Sequence, residues 1–419
     1  MKTVGLITEY NPFHNGHLYH IKKAKELTGA DRVVVIMSGD YVQRGAPALL
    51  PKHARTRMAL LNGASVVLEL PVCCSTGSAE FFAGGAVSIL NGIGCIDALC
   101  FGSECGDLAL LKQIAHLLVS ESDTYRYYLQ EALKSGISFP AARCQALGKL
   151  TGDLSVSQVL SDPNNILGIE YLKALEKLGS TITPFTVKRK SSGYHDTELK
   201  SHLSSASAIR NSLQQLTATH CHSAATSGIN LHDWLYGQLP DNSLDILQTE
   251  WKHSCPVEAN DFSLLLKYKL LLETKESLCR YQDVSVELAN RIVRNLNQFQ
   301  SFGQFCERLK TKELTYSRIS RSLLHILLSV TKDDMPQNAS GFYARILGFR
   351  KEDSDILRAM KEQSSIPVIT KLGQNSSLSS NMLTMLDQTV FASNLYESVI
   401  SDKFGTPFIN EYQKQIVRI

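Results

Sequence analysis

Four short apolar runs recur in the first hundred residues: "VGLIT" at 4–8, "RVVVIM" at 32–37, "SVVLEL" at 65–70 and "IDALCF" at 96–101. They are rich in β-branched residues and do not alternate apolar with polar, which predicts strands buried on both faces. Segments of helical period lie between them. Residues 17–28 put Leu18, Ile21, Ala24 and Leu27 on one side, and 52–62 and 78–91 continue the rhythm. This β-α-β-α-β-α-β order predicts a parallel sheet with right-handed crossovers, whose ligands bind at the carboxyl ends of the strands. Residues 107–150 are helical throughout and read as an insertion. The alternation resumes with a helix at 162–179, a fifth strand at 180–189 and a helix from 203. Beyond about residue 216 the period is helical as far as 365, where "SIPVITKLG" (365–373) offers one short strand. The fold class expected is α/β: a Rossmann-like parallel-sheet domain over 1–216, then a mostly α-helical C-terminal domain over 217–419.

Composition changes little in this picture. Of 419 residues, 43% are hydrophobic and 20% charged, an ordinary globular balance. The formal net charge of +3 implies no nucleic-acid partner unless the positive charge is local. No apolar stretch is long enough to suggest a membrane span or a secretory leader, so the expected location is the cytoplasm. The ten cysteines form no CxxC pair, and Cys95, Cys100 and Cys105 lie five apart, which fits no usual zinc spacing. They read as free thiols in a reducing compartment, and no metal site is expected.

The chemistry starts right after the first strand, in "EYNPFHNGHLYH" (9–20). The expected helix begins near Gly16, so His14 lies in the loop and His17 in the first turn. A helix N-terminus has free N–H groups and partial positive charge, which attract phosphate. His14 and His17 can add two ring donors. A metal pair would favour i, i+4 spacing with a carboxylate, whereas these two are i, i+3 across a boundary. H-x-G-H between a strand and a helix of a parallel sheet is similar to the nucleotidyltransferase superfamily signature, whose two histidines contact phosphates and stabilise charge at the α-phosphorus. That superfamily often carries a late I-S-S-T-x-I-R element. Here 203–210 reads "LSSASAIR", with Ser204, Ser205 and Ser207 at a helix start and Arg210 one turn on. It departs from the pattern at Ala206–Ser207, where a Ser–Thr pair is often found. Other strand-end loops hold Gly102 ("FGSE"), Asn165 ("DPNN"), Lys188, Arg189 and Lys190 ("VKRK"), and Asp40, Gln43 and Arg44 ("MSGDYVQRG").

Across nearly the whole chain, "GLITEYNPFHNGHLYHIKKAK", "IMSGDYVQRG", "ARTRMALLNGAS", "FFAGGAVSILN", "CFGSE", "PNNILGIEYLKAL", "SASAIRNSL", "YSRISRSLLHILL" and "ARILGF" resemble the bacterial tRNA(Met) cytidine acetate ligase family. The resemblance implies an enzyme that uses ATP and acetate, forms acetyl-adenylate, and acetylates N4 of the wobble cytidine of elongator tRNA(Met). It implies that ATP is bound by Ile7, Thr8, Glu9, Tyr10, Asn11, Pro12, Phe13, His14, Asn15, Gly16, His17, Leu18, Tyr19 and His20, then by Gly102, Asn165 and Arg189. Lys190 and Ser207 are added as neighbours, and His14, His17 and Arg210 as the catalytic set. Mg²⁺ is expected to accompany ATP as substrate, with no dedicated carboxylate cage. No Ser–His–Asp or Cys–His nucleophile is evident, and adenylate formation needs none because acetate itself attacks.

An RNA substrate needs a surface. Residues 280–321 hold eight basic and four acidic residues, a local excess of +4. Arg291, Arg294, Lys310, Lys312, Tyr316, Arg318 and Arg321 are the expected tRNA contacts, pairing phosphate charges with an aromatic for base stacking. "YARILGFRK" (343–351) is a second candidate. Small residues near the third strand, Val72, Cys73 and Gly77, are the expected selectors of acid size. Two alternatives stay open: a nucleotidyltransferase that joins a nucleotide to a small phosphorylated metabolite, and a non-catalytic RNA-binding protein.

Overall fold

A computed structural model describes residues 1–189, 204–220, 230–336, 341–373 and 377–419. Ten strands run in chain order as β1 (Thr3–Thr8), β2 (Arg32–Ser38), β3 (Tyr41–Val42), β4 (Ala46–Pro47), β5 (Val66–Leu70), β6 (Ala98–Ser103), β7 (Thr183–Lys188), β8 (Ala344–Phe349), β9 (Val368–Ile369) and β10 (Val417–Arg418). β3 and β4 form a small hairpin. The rest make one sheet in the order β10-β8-β5-β2-β1-β6-β7, with β9 pairing β8. From β5 to β7 every pairing is parallel. The chain therefore builds outward from β1 in both directions, so the switch point lies between β1 and β6, the place where such folds bind ligands.

The unalternating runs bury both faces, as expected. Val34 and Ile36 of β2 join one core cluster and Val33, Val35 and Met37 join the other. Helices Asn15–Thr28 and Lys52–Leu61 cover the second face, and Ala79–Gly92 and Pro163–Lys177 cover the first. The stretch expected to be an inserted helical segment comprises Leu108–Ser120, Asp123–Lys134 and Phe139–Thr151. Leu108–Ser120 packs on Pro163–Lys177 and shares that face's core.

The C-terminal half is mostly helical, but it also enters the sheet. "ARILGF" is not an exposed basic strip: it is β8, antiparallel to β5. Its Arg345 is 5% exposed and sits in a buried ion network. Arg345 pairs with Glu69 at 2.6 Å and Glu411 at 2.5 Å, and Lys52 pairs with the same two carboxylates at 2.7 and 2.8 Å. Arg345 is therefore withdrawn from the second candidate RNA surface, whose Arg350 is partly exposed and Lys351 exposed. The strand expected over 365–373 is only the two residues of β9.

Candidate active site

Beyond β1, Tyr10 takes a left-handed φ of 48° and turns the chain toward the helix Asn15–Thr28. "HNGH" then caps that helix with its own histidines. Nδ1 of His14 accepts the Gly16 N–H at 3.0 Å, and Nδ1 of His17 accepts the His14 N–H at 3.3 Å. This is a capping box built from two imidazoles. A ring nitrogen that accepts carries no proton, so each neutral ring presents its Nε2–H away from the cap. The rings stack with centroids 3.7 Å apart. Gly16 makes this possible: a Cβ there would meet Cε1 of His14 at 2.7 Å.

Burial is the main reason the rings stay neutral. It pushes the pKa of His14 down to about 3 and of His20 down to about 4, with the Arg189 charge adding to both. Burial and then the His14 ring lower that of His17 as well. Nε2 of His20 is buried with no hydrogen-bond partner among the described residues, although its ring edges the same cavity as His14 and His17.

A second helix, Ala206–His220, aims its N-terminus into this cavity. Ser205 caps it by accepting the Ala208 N–H, and Ser204 to Ser207 line the wall. Arg210 lines the cavity and donates to the Asn11 carbonyl at 2.7 Å and to Ser207 Oγ at 3.1 Å. Segment 237–238 clamps both helix starts. The Gln238 carbonyl accepts the Asn15 N–H, the Gly237 carbonyl accepts the Asn15 side chain, and Gln238 Oε1 accepts the Ser204 N–H. No sequence signal marks Gln238, because its role depends on two distant helix ends meeting.

From β6 and β7 come Gly102, Lys188 and Arg189. The Arg189 stem passes over Gly102, where a Cβ would lie 3.4 Å from its Cγ. Burial lowers the pKa of Arg189 and Arg210, and the carboxylates of Glu104 and Glu9, respectively, oppose that shift.

The cavity therefore gathers Ile7, Thr8, Glu9, His14, Gly16, His17, Tyr19, His20, Gly102, Arg189, Ser207 and Arg210 from the expected set. Tyr10, Asn11, Phe13 and Leu18 support it from behind: Tyr10 and Phe13 pack on the His17 ring, and Leu18 packs against the second core. The Asn11–Pro12 peptide is cis. Asn165 is fully buried, and its Oδ1 accepts the N–H groups of Glu104 and Cys105. It shapes the loop after β6, while its neighbour Asn164 lines the cavity. Lys190 lies outside the described residues. Sequence reasoning missed the apolar wall of Phe82, Phe101, Leu167 and Tyr171, since aromatic and aliphatic residues on helices and buried strands read as core. Val72 and Cys73 are buried core residues, and neither they nor Gly77 line the cavity.

The expected RNA contacts divide in two. Arg294, Lys310, Lys312 and Arg318 are exposed, and Tyr316 is 36% exposed. Arg291 donates to the Leu309 carbonyl and Arg321 pairs with Asp283 at 2.8 Å, so both guanidiniums serve the fold.

A parallel sheet with two helix N-termini, paired Nε2–H donors and two guanidiniums at its switch point defines a phosphate-handling enzyme of the HxGH nucleotidyltransferase class. The family model of the HIGH Nucleotidyl Transferase matches residues 1–407. The chain is 41% identical to the tRNA(Met) cytidine acetate ligase of Acetivibrio thermocellus over 94% of both chains. With that of Alkaliphilus metalliredigens it shares 40% over 96% of this chain and 95% of the other. The crystal structure of Thermotoga maritima TmcAL, apo, superposes with a TM-score of 0.91 at 32% identity, and TmcAL bound with alpha-thio ATP with 0.89 at 32%, each covering 100% of both chains. The chain belongs to the tRNA(Met) cytidine acetate ligase family.

Proposed function

We propose that this protein is an ATP-dependent acetate ligase. It condenses acetate with ATP into acetyl-adenylate, releases pyrophosphate, and passes the acetyl group to N4 of the wobble cytidine of elongator tRNA(Met), giving N4-acetylcytidine. The observation that carries this reading is the convergence of the His14 and His17 Nε2–H groups, Arg189 and Arg210 on one cavity fed by two helix N-termini. The names of its relatives supply the acceptor.

An acetate oxygen attacks the α-phosphorus as the bond to the β-phosphate breaks. The imidazoles donate to the phosphate oxygens that gain charge, and because their caps fix them beforehand they need little reorganisation. Arg210, held to Asn11 and Ser207, and Arg189 offer guanidinium donors to the leaving pyrophosphate. No cluster of three or more His, Cys, Asp or Glu suited to a metal occurs among the described residues. Mg²⁺ arriving with ATP would be held by the phosphate oxygens and water. Residues 1–216 are assigned the chemistry and 217–419 the tRNA, met through Arg294, Lys310, Lys312, Tyr316 and Arg318. No helix among the described residues is long and apolar enough to cross a membrane, and the cytoplasm, where tRNA is found, is the proposed location.

Exchange of labelled pyrophosphate into ATP, run with a panel of carboxylic acids, tests the reading. Acetate should support exchange best. Exchange only with a phosphorylated metabolite would select ordinary nucleotidyl transfer instead, and no exchange would leave a binding protein.

A further inference from the structure

Glu9 is out of place in a cavity that receives triphosphate. It is the sole carboxylate lining that cavity among the described residues, beside three histidines, Arg44, Lys188, Arg189 and Arg210. A carboxylate there opposes ATP binding by like-charge repulsion, so its presence calls for a use. The loop that supports it points to one. Glu9 Oε1 accepts the Gln43 N–H at 3.0 Å, and the Glu9 carbonyl accepts from Arg55 at 2.7 Å. Oε2 enters no hydrogen bond among the described residues. Gln43 belongs to the turn of the β3–β4 hairpin. The same turn packs on the basic helix Tyr316–Leu327, where Ser320 Oγ donates to the Gly45 carbonyl at 2.8 Å. A Cβ on Gly45 would lie 2.3 Å from the Arg321 nitrogen. Glu9 is thus bonded to a hairpin turn that packs against the helix carrying Tyr316 and Arg318, whereas the histidines lie at the helix Asn15–Thr28.

We propose that Glu9 accepts the proton of the cytidine N4 amine during acetyl transfer. The idea rests on the acetate ligase reading and deepens it. The N4 lone pair is delocalised into the pyrimidine ring, so the amine is a weak nucleophile and sheds a proton as it forms its new bond. N4 attacks the acetyl carbon, the bond from that carbon to the AMP phosphate oxygen breaks, and AMP leaves. One N4 proton passes to Glu9 Oε2 and then to water. General bases placed in this way contribute roughly 10² to 10⁴-fold.

Glu9→Gln keeps the size and the acceptor for Gln43 but removes the basic carboxylate. Two rates are measured on each enzyme. One is acetohydroxamate formed from ATP, acetate and hydroxylamine, an amine reactive enough to trap acetyl-adenylate unaided. The other is acetyl transfer to tRNA(Met) at saturating tRNA. In E9Q the ratio of tRNA acetylation to hydroxamate formation should fall by about 10²-fold or more, and circular dichroism shows independently that the variant is folded. An unmoved ratio overturns the proposal. If both rates fall together, Glu9 serves ATP binding, and if neither falls, it has no catalytic part. Failure of the wild-type enzyme to form hydroxamate from acetate would instead defeat the ligase reading itself.

Discussion

His17 does two jobs with one ring: Nδ1 holds the His14 backbone N–H and Nε2–H faces the cavity. His17→Ala should therefore lower acetate-dependent pyrophosphate exchange by about 10²-fold or more, the scale for losing a preorganised donor. It should also cost about 1 kcal/mol of stability for the lost cap, read by urea denaturation. The low histidine pKa values set a pH dependence. Between pH 6.5 and about 4 the unfolded chain takes up protons on these rings and the folded protein does not. The unfolded state then binds more protons, so stability falls as pH falls through that window. His20→Ala removes one such ring, and the loss of stability between pH 7 and pH 4.5 should be smaller in the variant than in the wild type. An equal or larger loss would contradict a neutral, buried His20. At this scale the sequence was informative where a motif states its own geometry, as "HNGH" does. It was silent on which ring nitrogen is spent, because that depends on the cap.

Elements bring these residues together, and here legibility depends on length. The five parallel strands are continuous β-branched runs between helical segments, so β1, β2, β5, β6 and β7 were readable with no end off by more than three residues. β8 was not, because "ARILGF" has an arginine whose charge is satisfied only by Glu69 and Glu411, far away in sequence. The β3–β4 hairpin was also missed: two strands of two residues carry no period. That hairpin is nonetheless, with segment 237–238, an element that joins the site to the helical half. Gly45 sits at φ +74° with the Arg321 backbone against it, so Gly45→Ala should push the turn off the helix Tyr316–Leu327. tRNA acetylation should fall more than pyrophosphate exchange in this variant. Equal effects would mean that the turn contributes only to folding.

The two halves share one body. The first-face core runs from Val34 and Leu68 of the sheet through to Ile326 and Ile400 of the helical half, and the buried Lys52–Glu69–Arg345–Glu411 network ties β5, β8 and the C-terminal segment. Burial by itself would raise the Glu411 pKa, but the charge of Lys52, with His53 and Arg345, holds it well below the usual carboxylate range. Removing one partner strands buried charge, so Arg345→Met should destabilise the whole molecule by about 3 to 5 kcal/mol, visible as one shifted denaturation transition. Function should divide more cleanly than folding. Lys312→Ala with Arg318→Ala should weaken tRNA binding and flatten its salt dependence by about 0.7 to 0.9 per lost phosphate contact, while exchange without RNA persists. The most direct check of the account joins both halves: tRNA(Met) is incubated with enzyme, ATP and carbon-13 acetate, and its nucleosides are analysed by mass spectrometry. N4-acetylcytidine carrying the label at the wobble position, formed only when ATP is present, is the expected result. Unlabelled or absent N4-acetylcytidine, or label appearing without ATP, would contradict it.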